Sequence, residues 1–314
     1  MAFDFRPATR ENVGLLIGLS GSSGSGKTFT AMRLAAGISG AAPFCVIDTE
    51  AGRAKHYADR FRFDHGDLRA PFTPDRYAEA ITAAAARDYA VIVVDSMSHE
   101  WAGDGGVLDQ QEDELDRMAG TDWKKREACK MASWIKPKMA HKRMMQQLLQ
   151  VRPHLILCFR AEPKIEMVRT DKGTWEVREK QTLTGLNGWV PISEKNLPYE
   201  LTASFLLMAD RPGVPLPIKL QEQHRALFPA NEPITESSGV QLAAWAAGGS
   251  TPVTVNLEQQ WLKKVLDATT ATGLKYVGEQ LKTAEGLDAE AMASLRAAYA
   301  VRMKKLAQRR SVKA

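Results

Sequence analysis

The sequence is poor in cysteine and has no long apolar run. Its three cysteines in 314 residues, Cys45, Cys129 and Cys158, are widely spaced and odd in number. We therefore expect neither a disulfide framework nor a zinc site, and a reducing compartment fits this cysteine usage. The longest apolar stretches, such as residues 201–209, are much shorter than the about 20 residues that cross a bilayer. The first ten residues lack the apolar core of a signal peptide, so we expect a cytoplasmic protein without a membrane partner.

The charge is ordinary in amount but uneven along the chain. Charged residues make up 25%, and the net charge is +5 with a pI near 9.0, which permits a polyanionic partner without requiring one. Residues 109–116 carry five acids and no base, whereas residues 124–143 carry eight bases and one acid. The last segment, residues 304–314, has five bases and no acid. Solvated helix faces are the simplest interpretation of such runs.

Apolar strands alternate with helical segments over most of the chain. The predicted strands are residues 13–20, 44–49, 89–95, 154–159, 201–208 and 216–221, and the predicted helices are residues 27–38, 75–87 and 133–150. Continuous apolar strands separated by helices indicate a mostly parallel sheet covered on both faces. The crossover rule then favours a doubly wound α/β core.

A small-residue segment divides the chain. Residues 246–256 include AAGGSTPVT and read as a linker. We therefore predict an α/β core over residues 1–245. Residues 257–314 have apolar side chains at helical spacing, which indicates a small C-terminal helical region with a basic tail.

The strongest motif is GSSGSGKT, which fits the phosphate-loop pattern G-x-x-x-x-G-K-[ST] in full. It follows a predicted strand and opens a predicted helix, where glycines let backbone N–H groups surround a phosphate. Lys27 supplies a positive charge for the β and γ phosphates, and the Thr28 hydroxyl is a ligand for Mg²⁺. A flexible Gly/Ser turn is the bland alternative. The predicted nucleotide-binding residues are Gly21, Ser22, Ser23, Gly24, Ser25, Gly26, Lys27, Thr28 and Phe29.

Two acids follow other predicted strands. VIVVD ends at Asp95, which is typical of a Walker B strand, and the carboxyl ends of parallel strands share one edge of the sheet. We therefore expect Asp95 to lie beside Thr28 and to hold Mg²⁺ with it. Glu50 comes just after the strand that ends in VIDT, where it is a candidate for polarising the attacking water. A surface acid or a helix cap is the alternative for Glu50.

These motifs together resemble the RecA recombinase family. The resemblance implies a RecA-like P-loop NTPase core that binds ATP and Mg²⁺, with Glu50 as the catalytic carboxylate and Asp95 as the Walker B acid. The family has a γ-phosphate-sensing Gln at the end of the next core strand. This sequence has Arg160 there, which is a candidate replacement for the Gln.

Of the RecA-like proteins, the chain most resembles compact phage-encoded ATPases of recombination and single-strand annealing. The resemblance is carried by DSMSHEW at residues 95–101, the two glycines at 105–106 and RAEPK at residues 160–164. It implies Mg²⁺-dependent, DNA-stimulated ATP hydrolysis, single-stranded DNA as partner, and self-association into a ring or filament. A single-strand-binding protein is a further candidate partner.

Three regions are candidates for contact with DNA or with a neighbouring protomer. Cations and aromatics suited to single strands lie in a predicted hairpin, and its candidate residues are Arg169, Lys172, Trp175, Arg178 and Lys180. Residues 160–195 carry seven bases but six acids, so a purely structural hairpin is the alternative. The basic stretch 124–143 lies where RecA proteins have another DNA loop. By the same resemblance, Lys219 or Arg225 is a candidate finger into the neighbour's ATP site, with an ordinary surface cation as the alternative.

Two other functions remain open at this point. One is a replication motor of the helicase-loader type. The other is a DNA-binding module that ATP switches with negligible turnover, an interpretation favoured by Arg160 in the sensor position.

Overall fold

A computed structural model describes residues 14–170, 173–179, 188–248, 257–268, 270–282 and 289–311. The chain divides into two compact units, residues 1–249 and 250–314. Helix α8 (Glu236–Ala246) ends one residue inside the predicted linker, and Ala246 is buried. Most of the predicted linker lies outside the described residues.

The strands of the first unit follow the predicted alternation. They are β1 (Leu16–Gly21), β2 (Phe44–Asp48), β3 (Phe63–Asp67), β4 (Val91–Asp95), β5 (His154–Pro163), β6 (Ile165–Arg169), β7 (Trp175–Glu179), β8 (Trp189–Pro191), β9 (Ala203–Leu207) and β10 (Pro215–Lys219).

The helices of the described residues include those predicted, two further full-length helices that were not predicted, Val107–Ala119 and α8, and several short ones. They are α1 (Lys27–Ser39), α2 (Pro74–Ala85), α3 (Ser98–Ala102), α4 (Val107–Ala119), α5 (Trp123–Cys129), α6 (Ile135–Leu148), α7 (Leu197–Glu200), α8, α9 (Leu257–Asp267), α10 (Ala271–Lys282) and α11 (Ala289–Ser311). Short 3-10 helices cover Arg53–Tyr57, Ala132–Trp134 and Glu222–Leu227.

The main sheet has the order β10-β9-β1-β5-β4-β2-β3. Strands β9, β1, β5, β4, β2 and β3 are parallel, β10 is antiparallel to β9, and β8 pairs antiparallel with the extended end of β5. The predicted doubly wound, mostly parallel α/β sheet is confirmed. Strands β6 and β7 form a separate antiparallel hairpin, also as predicted.

Both faces of the sheet are buried, because alternate side chains point to opposite sides. One face packs Ile17, Val93 and Ile156 with α1 and α8. The other packs Ile92 and Leu157 with α2 and α6. The strands therefore read as continuous apolar runs, and polar side chains concentrate where the strands end.

Strand β3 was not predicted. Its sequence, FDHGD, has one large apolar residue, and the strand lies at the edge of the sheet, where half-exposed side chains do not produce an apolar run. Its hydrogen-bonded pairing with β2 makes this segment a strand, although the sequence shows no strand pattern there.

The described residues of the second unit form three helices, α9 to α11. Val265, Leu274 and Leu306 form its buried centre, and the Arg302 guanidinium donates to the Ala268 carbonyl after the end of α9. No helix of the described residues is both long and apolar enough to span a bilayer.

Helix α8 packs against α1, the helix that follows the phosphate loop, with backbone contact. A Cβ on Gly37 would lie 2.0 Å from the Glu236 carbonyl oxygen, and one on Gly239 would lie 2.3 Å from the Leu34 carbonyl oxygen. The side chains of Arg33 and Glu236 form an ion pair of 2.6 Å at the same junction. The two helices are therefore held closer than any side chain at Gly37 permits.

We expect Gly37→Ala to lower the free energy of unfolding by about 1–3 kcal/mol, because the helices must separate to admit the methyl group. Urea unfolding measures this change. Gly66→Ala is the matched control, since its Cβ would meet only the Val46 carbonyl oxygen at 3.8 Å. Equal stability of the two variants would contradict the close packing of α1 and α8.

Candidate nucleotide site

A cavity of about 590 Å³ opens at the carboxyl ends of the central parallel strands. Its walls come from the last residues of β1 and β4, from Arg160 and Ala161 within β5, and from the segments that follow β1, β2 and β8. Strands β1, β5, β4 and β2 are adjacent in the sheet. The lining residues are Gly21, Ser23, Gly24, Gly26, Lys27, Thr28, Phe29, Glu50, Arg53, His56, Tyr57, Asp95, Arg160, Ala161 and Ile192. The fold therefore brings the predicted residues Lys27, Glu50, Asp95 and Arg160 to one place.

Hydrogen bonds to its own backbone hold the phosphate loop in shape. Gly26 precedes α1 with φ 80°, a left-handed conformation that favours glycine, and the helix N-terminus then faces the cavity. The Lys27 ammonium donates to the Ser22 carbonyl (2.7 Å), as does the buried Ser25 hydroxyl (2.9 Å). Ser22 and Ser25 thus shape the loop rather than line the cavity. Burial lowers the pKa of Lys27.

Thr28 and Asp95 meet across the cavity floor, as predicted. The Thr28 hydroxyl donates to Asp95 Oδ2 at 2.5 Å, and Asp95 is buried. Burial raises the pKa of Asp95 to about 6, against the opposing effect of the Thr28 hydrogen bond. A hydroxyl beside a carboxylate is an oxygen donor set that suits Mg²⁺, and a bound cation would relieve the cost of this buried charge.

Glu50 lines the same cavity, and a buried acid fixes its loop. Asp48 accepts the backbone N–H of Glu50 at Oδ1 (2.6 Å) and that of Ala54 at Oδ2 (2.9 Å). The role of Asp48 was missed, because a strand-ending Asp next to a candidate base carries no separate signal.

Two arginines contact the Glu50 carboxylate. Arg160 donates to Oε1 from Nε (3.0 Å) and Nη2 (2.7 Å), and Arg53 donates to Oε2 from Nη1 (2.7 Å). Burial by itself raises the pKa of Glu50, but the hydrogen bonds from Arg53 and Arg160 outweigh it and hold the pKa below its usual value. Arg53 was not predicted, since an arginine three residues after a candidate base has no motif of its own.

Arg160 also connects the cavity with the hairpin segment. Its backbone N–H donates to the Ser98 hydroxyl (2.9 Å), and its carbonyl accepts the N–H of Ile192 (2.7 Å). Ser98 begins the helix after the Walker B strand, and Ile192 follows β8. The backbone at Arg160 is therefore fixed while its side chain reaches the cavity.

A group of aromatic side chains also borders the cavity. The ring of Phe29 lies 5.8 Å from that of Tyr57 and 5.6 Å from that of Phe61, and the Arg60 guanidinium lies over Phe29. Tyr57 and His56 come from the 3-10 helix Arg53–Tyr57 and line the cavity. Of this group, only Phe29 was predicted, because the others follow an irregular segment without a motif.

The DNA-binding candidates in the hairpin lie apart from the cavity lining. Arg169 and Trp175 are opposite each other in the β6–β7 register, and Arg178 is opposite Glu166. The Trp175 side chain is exposed, as are Met167 and Val177. Lys172 and Lys180 lie outside the described residues.

The trans-acting candidates have local partners. The Lys219 ammonium on β10 donates to the Tyr199 carbonyl (2.6 Å), and Arg225 pairs with Glu222 (3.0 Å). Both side chains are on segments outside the lining of the cavity. Their proposed role in a neighbouring protomer stays a prediction.

The raised pKa of Asp95 gives a stability test on the protein without Mg²⁺. A carboxyl whose pKa rises on folding favours the fold when protonated, so this contribution is full below about pH 4 and is lost as the pH rises through about 6. We expect Asp95→Asn to be more stable than the parent chain at pH 7, by roughly 1–3 kcal/mol, and equal to it at pH 4. Urea unfolding at both pH values measures the difference. A variant that is less stable at pH 7 would contradict the burial penalty.

A known domain family covers the phosphate loop and most of the cavity lining. A family model described as an AAA domain matches residues 14–191, which is 178 of the 314 residues. Among solved structures, a KaiC-like protein from the hyperthermophilic archaeon Pyrococcus horikoshii OT3 has 15% sequence identity and a TM-score of 0.27, covering 57% of this chain and 89% of that chain. The curated proteins give no match. Because the family match spans more than half of the chain and includes the phosphate loop, Asp95 and Arg160, the chain belongs to the AAA domain family and is a P-loop ATPase by fold and family.

Proposed function

We propose that this chain is a Mg²⁺-dependent ATPase that acts on single-stranded DNA in recombination or single-strand annealing of the phage type. The observation that carries the ATPase part is the convergence of Lys27, Thr28, Asp95 and Glu50 on one cavity at the end of four adjacent strands. A cavity of about 590 Å³ is within the range of small-molecule sites.

The residues divide the work of hydrolysis. The phosphate loop and Lys27 bind the phosphates of ATP, and Phe29 and Tyr57 offer ring faces to the nucleobase. Thr28 and Asp95 would hold Mg²⁺, which supplies charge neutralisation at the phosphate oxygens. Glu50 accepts a proton from the attacking water. The water oxygen bonds to the γ-phosphorus, the bond from that phosphorus to the bridging oxygen breaks, and ADP leaves.

Single-stranded DNA is proposed from the hairpin and from the resemblance to RecA recombinases. Trp175 offers an exposed ring for base stacking, and Arg169 lies beside it in the register. A second support is the basic stretch that includes α5, where Trp123 is exposed next to Lys124 and Lys125. Self-association into a ring or filament, with Lys219 or Arg225 reaching the neighbour, belongs to the same proposal. So does a single-strand-binding protein as partner.

The nucleotide-switched module is the second candidate. It is favoured by the Arg160–Glu50 contact, because an ATPase whose catalytic base is held by arginines hydrolyses ATP slowly. A helicase-loader motor has no separate observation in its favour.

The deciding experiment is an ATPase assay with Mg²⁺, with and without single-stranded DNA. We expect turnover that DNA stimulates, and we expect Glu50→Gln to bind ATP while abolishing turnover, because the amide cannot accept the proton. Lys27→Ala should lose ATP binding, since the phosphates lose their charge partner. Turnover without DNA stimulation would leave an ATPase and contradict the DNA part, and unchanged turnover in Glu50→Gln would exclude this residue as the base.

The hairpin gives a separate test. We expect Arg169→Ala with Trp175→Ala to weaken binding of single-stranded DNA by roughly 5- to 100-fold, because one stacking platform is lost, and to reduce the salt slope by at most about one unit. Fluorescence anisotropy with a labelled oligonucleotide at several salt concentrations measures both. Thr170→Ala is the control at the hairpin turn, and equal affinity of all variants would exclude the hairpin as the DNA site.

A further inference from the structure

Both oxygens of the Glu50 carboxylate are taken by arginines. Arg160 occupies Oε1 with two N–H groups, and Arg53 occupies Oε2 with one. A carboxylate whose lone pairs point at guanidinium N–H groups is a weak proton acceptor. In this arrangement Glu50 is in place beside the cavity but is not free to act as a base.

The same two arginines line the cavity that holds the phosphate loop. The Glu50 side chain is only 15% exposed, whereas the side chains of Arg53 and Arg160 are 69% and 48% exposed. Both arginines therefore contact Glu50 and line the cavity while their side chains stay accessible to solvent. Because the Arg160 backbone is tied to Ser98 and Ile192, only its side chain needs to rotate to leave Glu50.

A γ-phosphate competes well for these guanidinium groups. It carries more negative charge than a carboxylate and has three oxygens instead of two, and the arginine fork binds phosphate in the same bidentate manner. ADP has no such group, so it offers the arginines no comparable exchange.

We propose that Arg53 and Arg160 form a clamp on Glu50 that the γ-phosphate of ATP opens, which makes Arg53 a residue that discriminates ATP from ADP. The proposal rests on the ATPase function proposed above. Opening the clamp transfers both arginines to the triphosphate and frees the Glu50 carboxylate to accept the proton of the attacking water. The base thus becomes competent only when the substrate is complete.

The clamp has a measurable consequence for binding. A ligand that binds only the open clamp binds more weakly than its intrinsic affinity, because only the open fraction of the protein is competent to bind it. Neutralising Glu50 removes the charge that holds the arginines, so it favours the open state without removing a phosphate-binding group. Triphosphate affinity then rises while diphosphate affinity does not.

The test is the affinity of Glu50→Gln for a non-hydrolysable ATP analogue and for ADP, measured by calorimetry with Mg²⁺. We expect the analogue to bind at least about fivefold more tightly to Glu50→Gln than to the parent chain, with ADP affinity unchanged. Arg53→Ala should weaken the analogue and leave ADP affinity unchanged. Arg62→Ala is the matched control, because this exposed arginine donates to the Ala41 carbonyl away from Glu50.

A double-mutant cycle separates the clamp from a general change in charge. In the background of Arg53→Ala and Arg160→Ala, the gain from Glu50→Gln should disappear. The gain in analogue affinity from Glu50→Gln should be smaller in the single Arg53→Ala background. This background alters one exposed side chain, so it replaces the double variant if that variant does not fold. A gain of equal size in every background, or no gain in the parent chain, would overturn the clamp and leave the ATPase proposal intact. Failure of the parent chain to bind any nucleotide would overturn both.

Discussion

The candidate site is built on opposite charges that lie together at the carboxyl ends of a parallel sheet covered on both faces. The strands are buried on both faces, so polar groups gather where the backbone leaves the sheet. Four neighbouring strands place Lys27, Arg160, Asp95 and Glu50 near their carboxyl ends. Each charge is partly removed from water, and each is tolerable because an opposite charge or a hydrogen bond stands beside it.

Each of these charged groups finds its partner within the chain. Lys27 bonds to the loop backbone, Thr28 to Asp95, and Glu50 to two arginines. A triphosphate with a divalent cation can replace these contacts one by one, because it brings anionic oxygens for the cations and a cation for the acids. The site is therefore preorganised for exchange of partners. The raised pKa of Asp95 shows the cost in stability of keeping a carboxylate there.

The cavity is also connected to distant parts of the first unit. Helix α1 begins at the phosphate loop and packs with backbone contact on α8. Strand β5 carries Arg160 and continues past the sheet into the segment with β8 and the β6–β7 hairpin. The α1–α8 pair on one side and strand β5 on the other therefore connect the cavity physically with other surfaces of the first unit.

The amino-acid sequence is sufficient to predict the α/β class, the phosphate loop and the strand-end acid Asp95, because each depends on a local pattern: continuous apolar runs, glycines in a loop and an acid after a strand. It also pointed to Glu50 and Arg160 through their positions after strands. Three-dimensional packing establishes the rest: β5 lies between β1 and β4, Asp48 fixes the Glu50 loop, and Arg53 and Tyr57 line the cavity. The edge strand β3 and the aromatic side chains that border the cavity likewise leave no periodic signal. Contacts between residues distant in sequence are set by strand order and packing, and a local pattern does not encode them.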